Sequence, residues 1–478
     1  MFEVLVIGAG FGGLATALTL AEAGRKVAVC ETLNYPGGCA STFKKAGYQF
    51  ESGATLFSGF DEQQLFGRLI KKYAMAVETR PIDPVVELRA PGFRLEVPPR
   101  REDLIARLCA FPNAPVRELR AFFEKQQKVA DALWALFDDP TLLPPFGPRA
   151  LLRHAAASGR YLPLLPLLGK PLGKLLGGLL DFAPLRIYLD AVCQITVQTS
   201  AAQAEAPFAL GAMDYYFRGT RHVRGGIGEL AWALSRAIES RGGQVIYANR
   251  VRQIERVDGH FRVQARRGPI EARQVVCNLL PQSVAALYGP LPALEKLAAK
   301  VEKGWGAAML YLAVDGTALR PEAHHLELVH DPSAKFTEGN HLFCSISAAD
   351  ELDRAPEGQR TVTISTHLPL AELLALPEPE RARRVSAIQS KMDATLARLA
   401  PELHPRLRLP ASPRTFERFT GRFGGYVGGI PRTASLSHYA QILPGPVAPG
   451  LWLVGDSLFP GQSTLAAALG GVKLAERL

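Results

Sequence analysis

The stretch "VLVIGAGFGGLATALTLAEAGRKVAVCE", residues 4–31, leaves this chain little freedom in how it starts to fold. Phe2 to Ile7 form a short apolar, β-branched run with no charge after Glu3, the pattern of a buried parallel strand. Gly8, Gly10 and Gly13 follow in G-x-G-x-x-G spacing, with Phe11 and Gly12 between them. Leu14 to Ala23 are helical in pattern, Gly24 stops that helix, and a second strand, Lys26 to Cys30, ends at Glu31. In such a unit the first glycine permits a tight turn and the second lets backbone approach a pyrophosphate. The third lets the helix pack closely on the strand. The helix N-terminus then faces the phosphates with unpaired N–H groups. Glu31 lies 18 residues after Gly13, where a carboxylate accepts from ribose hydroxyls and repels a 2′-phosphate. A glycine triplet alone marks many ordinary turns. The strand before it, the helix after it and the acid closing the second strand make this one a dinucleotide site, without separating NAD from FAD.

The other end of the chain separates them. "GLWLVGDSLFPGQSTLAAALGGVKLAERL" is again strand, turn and helix, and it brings Gly455 and Asp456 to the carboxyl end of a strand. Ligands of doubly wound sheets bind there. Asp456 suits ribityl hydroxyls, which NAD lacks. The helix that begins near Ser463, through Thr464 and Leu465, offers free N–H groups and a positive dipole end to the electron-rich edge of a flavin. One ligand touched by both termini is long, as FAD is.

Between these ends the pattern alternates. Residues 32–60 are glycine-rich, with Gly37 and Gly38 as a second close-approach site. Residues 222–256 repeat glycine turn, amphipathic helix, glycine stop and strand, Gly259 turns a hairpin, and "ARQVVCNLLP" ends that unit. A long helical stretch runs from Glu378 to Ala400. The 478 residues exceed what one core serves, so two domains are expected. The fold class is α/β: a doubly wound, Rossmann-type FAD-binding domain from residues 1–95, 213–285 and 411–478, with an inserted α+β substrate domain from 96–212 and 286–410.

Apolar content of 47% and charge of 21% exclude a disordered chain. A net charge of +10 favours anionic surfaces, but no basic run or aromatic-basic motif points to nucleic acid. Residues 141–186 are leucine-rich yet broken by Pro163, Pro166 and Pro171, and no uncharged run there is long enough to span a bilayer. Arg149, Arg153, Arg160, Lys170, Lys174 and Arg186 recur through the leucines, as in an interfacial element on anionic lipid. The six cysteines have no metal spacing, and the first strand begins at residue 2. A cytoplasmic protein, peripheral on the inner face of the membrane, is expected. His324, His325 and His330 read as solvated loop histidines, not as a metal site.

The pieces "GAGFGG", "PGGCASTF", "GYQFESGAT", "GGIGEL", "RTFERFTGRFGGYVGGIP" and "GDSLFPGQSTLAAALGG" give the chain its resemblance. Over nearly its whole length it resembles the FAD-dependent phytoene desaturase and carotenoid isomerase family, which includes retinol saturase and lies within the amine oxidase-like flavoproteins. The resemblance implies that Gly8, Gly10, Gly12 and Gly13 pack the pyrophosphate and that Glu31 binds the adenosine ribose. Gly38, Cys39, Ala40 and Ser41 would lie along the phosphates and flavin. Val251 would meet adenine through its backbone, and Asp456 with Ser463, Thr464 and Leu465 would hold the ribityl and pyrimidine end. Cys39 stands where many relatives carry arginine, and Ser463 where relatives usually have a second glycine.

The implied activity is that of an FAD-dependent oxidoreductase on a carotenoid or related polyisoprenoid, with hydride passing to flavin N5. A reduced-flavin cis-trans isomerase, a retinol saturase-like or amine oxidase-like enzyme and a non-catalytic lipid-binding protein are the alternatives. No catalytic residue is assigned, because no placed acid–base pair is visible. Tyr215, Tyr216, Phe217, Phe419, Phe423 and Tyr426 are candidates to line a tunnel for a flat polyene, some of them being core.

Overall fold

The computed structural model describes residues 1–53, 56–144, 146–441 and 445–478. Ala54 and Thr55 of the "GYQFESGAT" motif therefore lie outside the described residues. At the centre is β1 (Phe2–Ile7), in which Val4, Leu5 and Val6 are 0% exposed. A strand apolar on both faces must be covered on both faces. Val4 and Val6 face one core with α1 (Phe11–Glu22), and Leu5 and Ile7 face the opposite one.

β1 pairs in parallel with β2 (Val27–Cys30) on one side and with Gly268–Cys277 on the other. The seven-stranded sheet runs Val251–Val257, His260–Ala265, Gly268–Cys277, β1, β2, Gln244–Ile246. Its seventh strand, Leu451–Leu453, joins the far half of Gly268–Cys277 in parallel, which brings the last segment of the chain beside the first. The helix Thr464–Ala475 then packs on α1, so closely that a Cβ on Gly471 would sit 2.3 Å from the Gly12 carbonyl oxygen.

A second seven-stranded sheet runs Pro405–Ala411, Trp305–Asp315, Gln359–Pro369, His341–Ile346, His324–Val329, Val86–Ala90, Phe93–Val97. Helices between Arg101 and Ala212 build a large core beside it, and Glu378–Leu399 packs on its other side.

Three sequence expectations change here. The hairpin Val86–Val97 belongs to the second sheet, where Leu326 to Leu328 pair with Glu87 to Arg89, so a boundary at 95 cuts through it. Helices Pro281–Tyr288 and Pro292–Val301 bury Val284 and Leu294 against the first sheet, which moves the crossover from residue 286 to Trp305. His324 and His325 are not solvated: they begin a strand paired on both sides and are 8% and 3% exposed. Among the described residues no helix is long and apolar enough to cross a membrane.

Candidate functional site

Both sheets contribute to one cavity of about 700 Å³. At one end lie the carboxyl ends of β1 and β2, and Gly8, Gly10, Phe11, Gly12, Glu31 and Val251 line it there. Gly8 takes φ +98°, a left-handed conformation that only glycine adopts without strain. No side chain caps α1 at Gly10, so its first N–H groups are left for a ligand. Gly13 does not line the cavity. A Cβ there would sit 2.2 Å from the Gly8 carbonyl oxygen, which makes it the close-packing glycine of the turn.

Glu31 is 6% exposed, and its oxygens accept from Ala9 N at 2.7 Å and Leu33 N at 2.8 Å. Burial pushes its carboxyl above the usual range, while the N–H groups of Leu33, Ala9 and Thr32 pull it back. Each oxygen keeps a further lone pair for a ribose hydroxyl.

The second glycine pair docks on the first turn: Gly37 N donates to Ala9 O at 2.8 Å, and a Cβ on Gly38 would lie 3.5 Å from Gly10 Cα. Gly38, Cys39 and Ala40 line the cavity, but Ser41 does not. It is 1% exposed, and its hydroxyl donates to Gly38 O at 2.8 Å, so it shapes the loop from behind. Cys39 is a free thiol pushed up by burial, with Arg422 opposing, and it is not poised as a nucleophile. The arginine missing at position 39 has a counterpart in space, because Arg422 reaches the same place from another segment and pairs with Asp456 at 2.8 Å.

Gly455, Asp456, Ser463, Thr464 and Leu465 all line the cavity. Ser463 caps the C-terminal helix, its Oγ accepting from Ala466 N at 3.0 Å. The sequence reading missed Asn278, at the end of the strand Gly268–Cys277. A Cβ on Gly10, Gly12 or Gly455 would approach its side-chain amide to 2.5, 3.0 and 2.8 Å respectively, so those three glycines and this asparagine form one surface. Its only sequence signal was its place one residue after a buried strand.

The cavity continues into the second domain past Ile195, Val197, Phe208, Met309 and Phe343. Of the six candidate aromatics, Tyr215 and Phe423 line it. Tyr216 is core and donates to Glu327 at 2.6 Å, Tyr426 is 2% exposed in another core, and Phe419 is 48% exposed. His367 lines this half and is pushed down to about 4 by burial, so it is neutral at pH 7. The expected residues of the first half thus gather at one end of the cavity, where two helix N-termini meet the carboxylates Glu31 and Asp456.

Fold and site together set a strand–glycine–helix turn and an apolar chamber around one cavity between two sheets. The sequence pattern described as "Flavin containing amine oxidoreductase" matches residues 11–402, and the chain belongs to that family. Prolycopene isomerase of Arabidopsis thaliana chloroplasts is 26% identical over 509 residues, spanning 100% of this chain and 82% of that one. The neurosporene-forming phytoene desaturase of Cereibacter sphaeroides is 25% identical over 499 residues, spanning 96% and 91%. Among solved structures, an oxidoreductase from Methanosarcina mazei superposes with a TM-score of 0.62 at 19% identity, covering 99% of this chain and 100% of that one. The flavin is thus a property of the family, and the chain is an oxidoreductase.

Proposed function

We propose that the cofactor is FAD and that the substrate is a carotenoid or a related long polyene. The observation that carries this is the continuity of the cavity from the dinucleotide half into a chamber lined mainly by apolar side chains. The similarity to prolycopene isomerase and phytoene desaturase over nearly the whole chain supports it. Glu31 and Val251 would hold the adenosine end, Gly10 to Gly12 the pyrophosphate, and Asp456 with Ser463 to Leu465 the ribityl and pyrimidine end. FAD, when bound, supplies two-electron hydride chemistry. The chain's own residues exclude water, hold the polyene flat and keep His367 neutral beside it, and a polyene that spreads its own charge needs no strong base. On this reading the reaction is net desaturation. The prolycopene isomerases, which align along the full length, favour cis–trans isomerisation as a second reading.

Purified protein should carry FAD that acid precipitation releases intact, and it should convert dispersed carotenoid precursors but not polar amines. A protein that retains yellow colour in the acid pellet, or turns over amines alone, would contradict these assignments.

We also propose peripheral binding to anionic membranes through residues 141–186. Leu151, Leu152, Leu162 and Leu165 are 55%, 72%, 63% and 59% exposed, and Arg149, Arg160, Lys170 and Lys174 are exposed among them. The protein should sediment with anionic vesicles more than with neutral ones, and salt should shrink the difference. Equal binding to both vesicle types would remove the charge contribution.

A further inference from the structure

A hydrocarbon polyene leaves two polar groups in the apolar chamber without a task. Arg432 lines the cavity and is 6% exposed. Among the described residues its guanidinium makes one hydrogen bond, to His438 Nδ1 at 3.5 Å, and no carboxylate oxygen lies within 4.0 Å of it. The Phe208 ring lies against it, its centre 4.8 Å from the guanidinium carbon. Glu205, whose charge acts on Arg432, has its oxygens engaged by Gly169 N, Phe208 N and the Tyr439 hydroxyl.

The placement is built, not incidental. Arg432 N donates to Val197 O at 2.9 Å, and its carbonyl accepts from Glu205 N at 2.8 Å. Burial pushes the side chain down to about 10, which still leaves it a cation at neutral pH. A buried guanidinium with most of its five donors unspent among the described residues is costly unless a ligand completes it.

A second, independent group follows Val197, the residue whose carbonyl accepts from Arg432 N. Gln198 lines the cavity and is 2% exposed, and among the described residues its Oε1 is a buried acceptor with no hydrogen-bond partner. Its Nε2 is spent on Val427 O at 3.2 Å, and its carbonyl accepts from Trp305 Nε1 at 2.8 Å, so the side chain is held in place. Spare donors on a cation and a spare acceptor on an amide together suit an oxygen-bearing end group and its water or hydroxyl proton. A methyl terminus satisfies neither.

We propose that Arg432 and Gln198 form a polar end-subsite in the substrate chamber that takes the oxygenated terminus of a polyene, a carboxylate on Arg432 being its strongest partner. This rests on the polyene reading of the chamber. It narrows the substrate class from hydrocarbon carotenes to polyenes carrying oxygen at one end.

The test uses the flavin-loaded protein and three linear polyenes of equal conjugated length, ending in a carboxylate, its methyl ester and a methyl group. Binding is followed by quenching of tryptophan fluorescence, Trp134 being part of the cavity wall. In the wild type the acid should bind roughly 10- to 100-fold more tightly than the ester, the range of a charged hydrogen bond. Arg432→Met should lose that preference while its affinity for the methyl-ended polyene stays within about two-fold, and Arg432→Lys should keep part of the preference. Gln198→Met should weaken the acid less than Arg432→Met does.

Equal binding of acid and ester by the wild type would overturn the subsite and leave the polyene reading standing, even if no variant could be loaded with flavin. A preference that survives in Arg432→Met would overturn it as well. If none of the three polyenes bound, the subsite and the polyene reading would fall together.

Discussion

Two residues carry predictions that can be worked out one side chain at a time. Ser463 holds φ +93° and ψ 156°, a region that costs a non-glycine residue about 1–3 kcal/mol, yet its hydroxyl caps the C-terminal helix. Glycine at an N-cap is only a few tenths of a kcal/mol worse than serine, whereas alanine loses about 1 kcal/mol. Thermal release of flavin should therefore rank Ser463→Gly at or above the wild type and Ser463→Ala below it; Ser463→Gly releasing flavin below the wild-type temperature would show that the cap outweighs the strain. Glu51 is 3% exposed and pushed up to about 7, first by burial and further by Glu351, with Arg354 and the Ile227 N–H opposing. The folded protein then holds a proton that the unfolded chain releases above its ordinary value of 4.5. The contribution is present below that value and is lost as pH rises through about 7. Glu51→Gln should flatten the fall in stability across that window, a difference of about 2–3 kcal/mol in denaturant titrations at its two ends. At this scale the sequence was legible where a residue acts through its own neighbours, as at Gly8 and Glu31. It was silent on Asn278 and Arg422, whose roles come from chain segments that meet only after folding.

Elements were legible for a related reason. β1, α1 and β2 announce themselves by periodicity and glycine punctuation, and the helix expected from Glu378 is found at Glu378–Leu399. What periodicity does not contain is which sheet a strand joins. The hairpin Val86–Val97 finds its partner in His324–Val329, far along the chain. The two histidines there looked like loop because their flanks are rich in proline and polar residues. Pairing with His341–Ile346 on one side and Val86–Ala90 on the other buries them regardless. The pairing of α1 with the C-terminal helix invites a direct test. A Cβ on Gly471 would meet Gly12 O at 2.3 Å and Thr16 N at 3.0 Å, backbone atoms of a rigid neighbour. At Gly470 the nearest atom, Phe459 O, is 3.3 Å away. Gly471→Ala should cost about 1–3 kcal/mol and lower flavin retention, with Gly470→Ala much milder. Equal melting of the two variants would mean that the helices separate without cost.

At the scale of the whole molecule, the two sheets meet around one cavity, and that arrangement leaves the direction of electron flow open to a decisive measurement. On the proposed reading a flavin in the first half would face the chamber, and among the described residues the chamber offers a neutral His367 and no arranged acid–base pair to commit the chemistry. A desaturase removes two electrons from the substrate for each new double bond, so anaerobic mixing of oxidised protein with its polyene should bleach the flavin band in proportion to product formed. An isomerase that works with reduced flavin moves no net electrons. It should leave the oxidised band untouched, then convert substrate after dithionite reduction into a product of unchanged mass, because only binding that favours the transition state is then needed. Net desaturation predicts bleaching, a mass loss of two hydrogens and dependence on an added electron acceptor for repeated turnover. Product of unchanged mass, formed only with reduced flavin, would assign the chain to isomerisation and would do so without altering where FAD or the polyene sits.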